Sequence, residues 1–287
     1  MGYSMKNKMI ILSIVAALLV AMLIWIVWEN SALELNTITV TGENLPKAFA
    51  GYKIAQISDL HNDNANVGEK LIGLLRDAKP DIIVITGDMI DSGNPNVEIT
   101  LQIAKEAVKI APCYYVTGNH EAIANETYAK LEQGLREAGV IVLRDEAVFL
   151  EKNGATIQLI GLDDLGFSPV NDRIDEATVN MEQTLRKLAT DDQTYTVLLA
   201  HRPELIDVYV AANVDLVLGG HAHGGQFRIP FIGGVYAPGQ GFFPEYDSGL
   251  YAEGKTQMVV SRGIGNSIIP LRVNNRPEVV LVELQCA

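Results

Sequence analysis

Three apolar runs constrain this chain more than any other feature: YKIAQISD (52–59), DIIVITGD (81–88) and CYYVTGNH (113–120). Each is too continuously apolar, and too rich in β-branched and aromatic residues, to be a strand with one wet face. Each is therefore expected to be buried on both sides. Between and beyond them lie stretches of helical periodicity at 67–78, 98–110 and 125–138, the last placing Tyr128, Leu131, Leu135 and Ala138 on one face. Such strand–helix alternation folds into a mostly parallel sheet with covering helices, an α/β domain. The second half is richer in strands. AVFLEKNGATIQLIG (147–161) carries Asn153-Gly154 between two runs, the residue pair of a tight hairpin, and further strands are expected at 195–200, 214–219, 256–261 and 279–284.

What ends the runs is as informative as what fills them. The first leads into Asp59 and His61, the second into Asp88, the third into Asn119 and His120; later LLAHRPE ends on His201, and LVLGGHAHGG on His221 and His223. All five histidines of the chain thus terminate strands. The carboxyl edge of parallel strands is where α/β sheets build their sites. A lone Asp or Asn there is ordinarily a turn former, but metal-ligand residue types recur at every one of these ends. The glycines beside them let the backbone approach a bound group closely. Imidazole, carboxylate and amide oxygen suit Zn, Mn or Fe. Asp59, His61, Asp88, Asn119, His201, His221 and His223 are seven donors, more than one ion takes and enough for two if a carboxylate bridges. Two ions roughly 3.5–4 Å apart are the usual arrangement for in-line displacement at phosphorus.

In order, D-x-H (Asp59, His61), G-D (Gly87, Asp88), G-N-H (Gly118, Asn119, His120), H (His201) and G-H-x-H (Gly220, His221, His223) resemble the blocks of the calcineurin-like metallophosphoesterases. The resemblance implies a four-layer sandwich, two facing mixed β-sheets flanked by helices. It implies one metal ion on Asp59, His61, Asp88 and His223, and a second on Asp88, Asn119, His201 and His221, with Asp88 bridging. His120, partnered by Asp91 or Asp63, would be the catalytic histidine that is not a ligand. The chain lacks the arginines that the protein serine/threonine phosphatases carry in their GDxxDRG and RGNHE motifs: Ser92 follows Asp91, and Thr117 precedes Gly118. Asp91 also stands where purple acid phosphatases place a tyrosine. The pattern is most similar to the bacterial membrane-anchored branch, which implies a phosphodiesterase cleaving a phosphodiester or lipid-linked pyrophosphate by attack of metal-held hydroxide. A phosphomonoesterase of the same fold and a non-catalytic metal-binding scaffold at the membrane are the alternatives.

The N-terminus supports a membrane location. Met9 to Trp28 is a run of 20 residues whose only polar member is Ser13, long enough to span a hydrocarbon core of about 30 Å. It is longer than the apolar core of a cleaved signal peptide, roughly 7–15 residues, so an uncleaved anchor is expected. Lys6 and Lys8 before it place the N-terminus in the cytoplasm and the catalytic domain outside. The expected organisation is a stub and anchor (1–29), a connector (30–50) and one phosphoesterase domain (51–287). Beyond residue 29 the chain holds 20 basic and 34 acidic side chains, a balance that repels polyanions and argues against nucleic acid as a partner. Cys113 and Cys286 form no disulfide framework.

The substrate side is expected from three places. Arg202, directly after a candidate ligand, is positioned to meet a phosphate. Asp163 and Asp164 end a strand and either line the site or cap a turn. The segment 224–255 carries seven of the chain's 17 Phe and Tyr residues, and the adjacent pair Phe242 and Phe243 in GQGFFPEY is expected to hold an apolar part of the substrate.

Overall fold

The computed structural model describes residues 5–62, 65–170, 173–189, 193–266 and 270–287. Two-sided burial of the apolar runs sets its architecture. In β3 (Ile82–Thr86), Ile82 and Val84 face one apolar cluster while Ile83 and Ile85 face another, and all four are 0–2% exposed. The period-2 alternation of a strand thus feeds two cores at once, so the run shows no polar positions.

Two six-stranded sheets result. The first orders β1 (Glu34–Gly42), β16 (Glu278–Cys286), β2 (Tyr52–Ile57), β3, β4 (Cys113–Val116) and β5 (Ile141–Val142). The second orders β14 (Gly249–Glu253), β15 (Thr256–Val260), β9 (Leu216–Gly219), β8 (Thr196–Leu199), β7 (Ala155–Gly161) and β6 (Glu146–Lys152). Strands β2 to β5 run parallel, as do β15, β9, β8 and β7, and the remaining pairings make both sheets mixed. Val84, Val116, Leu199, Leu218 and Val259 meet between the sheets. The outer face of the first sheet packs on α2 (Ala65–Ala78), α3 (Glu98–Ala107) and α5 (Asn125–Ala138), and that of the second on α6 (Ile174–Leu188) and α7 (Ile206–Ala211). The order of layers is helix, sheet, sheet, helix, as the resemblance implied. The expected hairpin forms as β6 and β7, with Asn153 at φ 51° and Gly154 at φ 79° in its turn.

Three departures from expectation have a clear physical reading. The segment 30–50 is not merely a connector: ELNTITVTG forms β1 and pairs parallel with β16 along its whole length. Its Thr, Ile and Val suit a strand, but its half-buried edge position leaves no continuous apolar run to detect. Helix α6 went unforeseen because its buried stripe is thin, with Ala177 and Leu185 buried and Met181 and Leu188 only partly so. Helix α3 stops at Ala107, and 108–110 continue as turn.

The N-terminal α1 (Met5–Ser31) stands apart from these layers. Its stretch Asn7–Ser31 is long and apolar enough to cross a membrane, and its apolar side chains from Met9 to Val27 remain largely exposed.

Candidate metal centre

Parallel strands deliver their carboxyl ends to one edge, where β2, β3 and β4 of the first sheet face β8 and β9 of the second. The turns there are strained. Asp59 (φ 52°), His61 (48°), Asp88 (52°), His221 (65°) and His223 (48°) all adopt the left-handed backbone region despite carrying side chains. That conformation costs an L-residue roughly 1–2 kcal/mol, and a turn with no other duty would use glycine. Strain concentrated on five candidate ligands is characteristic of a functional site. True glycines serve where chains nearly touch. A Cβ on Gly118 would collide with Asp88 Oδ1, and one on Gly220 with Ser58 Oγ and Asp59 Oδ2.

All the sequence-derived candidates for metal binding converge. His61 Nε2 lies 3.1 Å from His223 Nε2, and the two lie 4.0 and 3.4 Å from Asp59 Oδ1. Asp88 Oδ2 lies 3.2 Å from His201 Nε2 and 3.8 Å from His61 Nε2, and His201 Nε2 lies 3.2 Å from Asn119 Oδ1. His221 Nε2 is buried with no hydrogen-bond partner and joins Asp88 and His201 in a second group. Donors held about 2.1 Å from an ion stand roughly 3–3.5 Å from one another, which is the spacing of four of these contacts, the His61–Asp59 and His61–Asp88 pairs being wider. Among the described residues three groups could hold a metal ion, Asp59/His61/His223, Asp88/His201/His221 and His61/Asp88/His120, and Asp88 stands between the first two.

Electrostatics agrees with that fit. Burial, followed by the field of Asp88, pushes the Asp59 carboxyl up. Burial lowers His61 to about 4 and takes His221 and His223 well below the ordinary imidazole value, so these rings are neutral, as ligands must be. At His201 burial opposes charge but is outweighed by Asp88 and then Asp59, which raise it to about 10.

Two of the histidines near Asp88 are held through Nδ1 by partners of opposite kind. His201 Nδ1 lies 2.7 Å from the Thr86 carbonyl, which can only accept, so Nδ1 carries hydrogen and, in the neutral ring, the Nε2 lone pair faces Asp88. His120 Nδ1 instead accepts from the Ser92 backbone N–H at 3.0 Å, so its proton sits on Nε2, 4.0 Å from Asp88 Oδ2. One ring is prepared as a ligand and the other as a proton donor. Of the two expected partners, Asp91 does not hold Nδ1, which Ser92 N occupies. The carboxylate of Asp91 accepts from Gly93 N, and Asp63 lies outside the described residues.

Sequence reasoning passed over Glu121. This carboxylate, fully buried, accepts from Gly118 N and Asp88 N at 2.8 Å each, from Met89 N at 2.7 Å and from Ile90 N at 3.2 Å. It ties the β3 and β4 turns together and so sets Asp88 against Asn119. Burial, then Asp88, raises its pKa to about 7. The available signal was a Glu three residues after the glycine that opens a helical turn, the capping-box spacing.

The substrate-side candidates are placed less simply. Arg202 donates through Nε (2.6 Å) and Nη2 (3.1 Å) to the Asp164 carboxylate, leaving Nη1 facing Glu204 at 3.6 Å. Asp164 also caps the turn at 165–167 by accepting from Gly166 N, and Asp163 pairs with Arg144. Phe242 and Phe243 are 74% and 62% exposed, on and just after a two-residue strand.

A buried Asp/His cluster at the strand ends of a double-sheet α/β sandwich defines a metallohydrolase. The calcineurin-like phosphoesterase family model matches residues 52–225, and the chain belongs to that family. It is a metallophosphoesterase, a hydrolase of phosphoric esters. It is 31% identical over 270 residues to an uncharacterized metallophosphoesterase of Bacillus subtilis, YkuE, covering 90% of this chain and 87% of that one. It is 29% identical over 240 residues to the Escherichia coli phosphodiesterase YaeI, covering 82% and 83%. A Danio rerio transmembrane protein with metallophosphoesterase domain is 28% identical over 256 residues, covering 85% of this chain and 56% of that one.

Proposed function

We propose that the protein is a two-metal phosphodiesterase that works at the surface of the membrane its N-terminal helix crosses. The observation that carries this reading is the pair of donor groups sharing Asp88, with Asp59, His61 and His223 on one side and Asn119, His201 and His221 on the other. Two divalent ions, Mn, Zn or Fe, would supply Lewis acidity and a water of lowered pKa when bound there. The protein's own contribution is orientation and hydrogen bonding. Glu121 and the strained turns hold the donors in place, and His120 presents its Nε2–H as a hydrogen-bond donor that steadies the departing oxygen.

Two observations favour a diester over a monoester. YaeI is named a phosphodiesterase. Arg202, the cation placed to meet phosphate, is already held by Asp164, so its guanidinium is not free to neutralise a dianionic terminal phosphate. A small phosphodiester or a lipid-linked pyrophosphate fits that charge. Phe242 and Phe243 would bear on its apolar part, and Arg202 Nη1 would touch its phosphoryl oxygen. The helix at 9–28 anchors the chain, with the catalytic domain on the extracytoplasmic side as Lys6 and Lys8 direct.

The purified full-length protein should carry two metal equivalents and hydrolyse a chromogenic phosphodiester faster than the matching monoester. Undiminished turnover after chelation would overturn the metal mechanism, and a monoester preference would overturn the substrate class. Protease added to intact cells, or to spheroplasts where an outer membrane intervenes, should degrade the domain; protection until lysis would reverse the orientation.

A further inference from the structure

The end of α1 is fastened to the catalytic domain rather than loosely tethered. Glu29, 4% exposed, accepts from Asn275 N at 3.1 Å. Asn30 exchanges hydrogen bonds with the Arg272 backbone, accepting from its N at 2.7 Å and donating to its O at 2.9 Å. The Arg276 guanidinium lies 5.0 Å from the Trp28 ring centroid. Tryptophan at the end of a membrane span sits at headgroup depth, so these contacts hold the loop 272–276 at that depth.

The same loop holds a small hairpin. Phe227 bridges Val273, Arg228 N donates to Val273 O at 2.9 Å, and Asn274 Nδ2 donates to Arg228 O at 3.1 Å. From there β10 (Arg228–Ile229) and β11 (Gly233–Gly234) form a ribbon whose tip reads Ile-Pro-Phe-Ile at 229–232. The tip is apolar and uncovered: Phe231 is 108% exposed, Ile232 65% and Ile229 41%. Phe231 also adopts φ +69°, in a turn closed by Ile232 N donating to Ile229 O at 3.0 Å. A turn facing water places Gly, Asn or Asp at such a position, and an aromatic there is unfavourable twice over. Four residues separate Phe231 from the bridge at Phe227, a reach of at most about 14 Å. That is comparable to the thickness of one polar layer of a bilayer, roughly 5–8 Å, plus a shallow entry into hydrocarbon.

We propose that the Ile229–Ile232 tip enters the leaflet from which α1 emerges, giving the domain a second contact with the membrane. The inference rests on reading α1 as a membrane anchor. Its occupant is the headgroup–acyl boundary of a lipid bilayer, because the tip carries no charge and shares its supporting loop with the helix end. The docking reaches the chemistry, since Asn275 Nδ2 also donates to His223 O at 2.7 Å. Two fixed contacts set the height and tilt of the metal centre above the leaflet, so a phosphoester carried by a lipid headgroup meets the site without leaving the membrane.

The test uses the full-length protein, with Cys286→Ser, in phosphatidylcholine–phosphatidylglycerol vesicles that contain spin-labelled lipid. An environment-sensitive fluorophore is attached in turn through Phe231→Cys, Ile232→Cys, Val20→Cys within α1, and Phe149→Cys on β6. Retained turnover of a soluble phosphodiester shows that each labelled variant is folded. The proposal expects lipid-borne spin labels to remove most of the emission at 231, 232 and 20 and little at 149, with aqueous iodide giving the reverse. Emission at 231 and 232 that follows 149, while 20 is quenched from the lipid, would overturn the inference and leave the anchor standing. A fluorophore at 20 that is also open to iodide would remove the anchor and the inference together.

Discussion

The strand-end cluster and the segment that follows it, 226–251, are adjacent in the chain and built on opposite terms. In the cluster the candidate ligands are buried except the half-buried Asn119, the β3 and β4 turns are cross-tied by Glu121, and left-handed strain is held by two packed sheets. In the segment that follows, order rests on two-residue strands and turns, and Phe231, Phe242 and Phe243 stand in the open. Chemistry needs donors fixed to within a fraction of an ångström, so it sits on the rigid edge of the sandwich. Recognition of a substrate needs an accessible surface that differs between relatives, and loops supply it. Under the proposed function the difference teaches that reaction class and substrate choice are encoded in separate parts of this chain.

Mutations that remove a shared donor should break the contrast most completely. Asp88→Asn and His221→Ala are each expected to lower metal content and to cost several kcal/mol of transition-state stabilisation, about 10³-fold or more in rate. Metal analysis beside steady-state turnover checks both, and full metal occupancy in His221→Ala would refute the ligand assignment. His120→Ala should lose about 10²- to 10⁴-fold in rate while keeping its metal, because its Nε2–H serves the leaving group. Metal lost from that variant would turn His120 into a ligand.

Smaller effects test whether rigidity itself matters. Gly220→Ala removes no donor, yet its methyl would displace Asp59 and Ser58. A shift of about 1 Å is expected to cost on the order of 10²-fold, with weaker metal retention in a dialysis assay; wild-type activity would mean that the turn has slack. The smallest effect should come from the open segment. Phe242→Ser with Phe243→Ser is expected to leave turnover of a small soluble diester within a few-fold and to reduce turnover of a lipid-linked substrate about tenfold, in line with the loss of two exposed aromatic contacts. Equal losses on both substrates would show the pair to be structural and erase the proposed division.

Much of the cluster was legible because two independent periodicities coincide there. The apolar runs mark doubly buried strands, and Asp59, Asp88, Asn119, His201 and His221 recur at their ends. Other features were hidden because they depend on groups that are distant in sequence or lack side chains. The acceptor state of His120 Nδ1 is set by the backbone N–H of Ser92, 28 residues earlier, and no side-chain identity announces it. Arg202 reads as a free cation until Asp164, 38 residues away, is found holding it.

By itself the sequence determined which segments must be buried on two faces, which of their ends carry metal-binding chemistry, and that one segment can cross a membrane. Those properties follow from local composition, since hydrophobicity, side-chain period and donor type belong to each residue wherever it lies. The tertiary structure alone decided that β1 completes the first sheet beside β16, that His120 Nδ1 meets a backbone N–H while His201 Nδ1 meets a carbonyl, and that the end of α1 is fastened to the loop supporting both His223 and the Ile229–Ile232 tip. Each of these depends on a hydrogen bond or a ladder between residues far apart in the chain. Their partners are chosen by packing, and backbone donors look alike in any sequence.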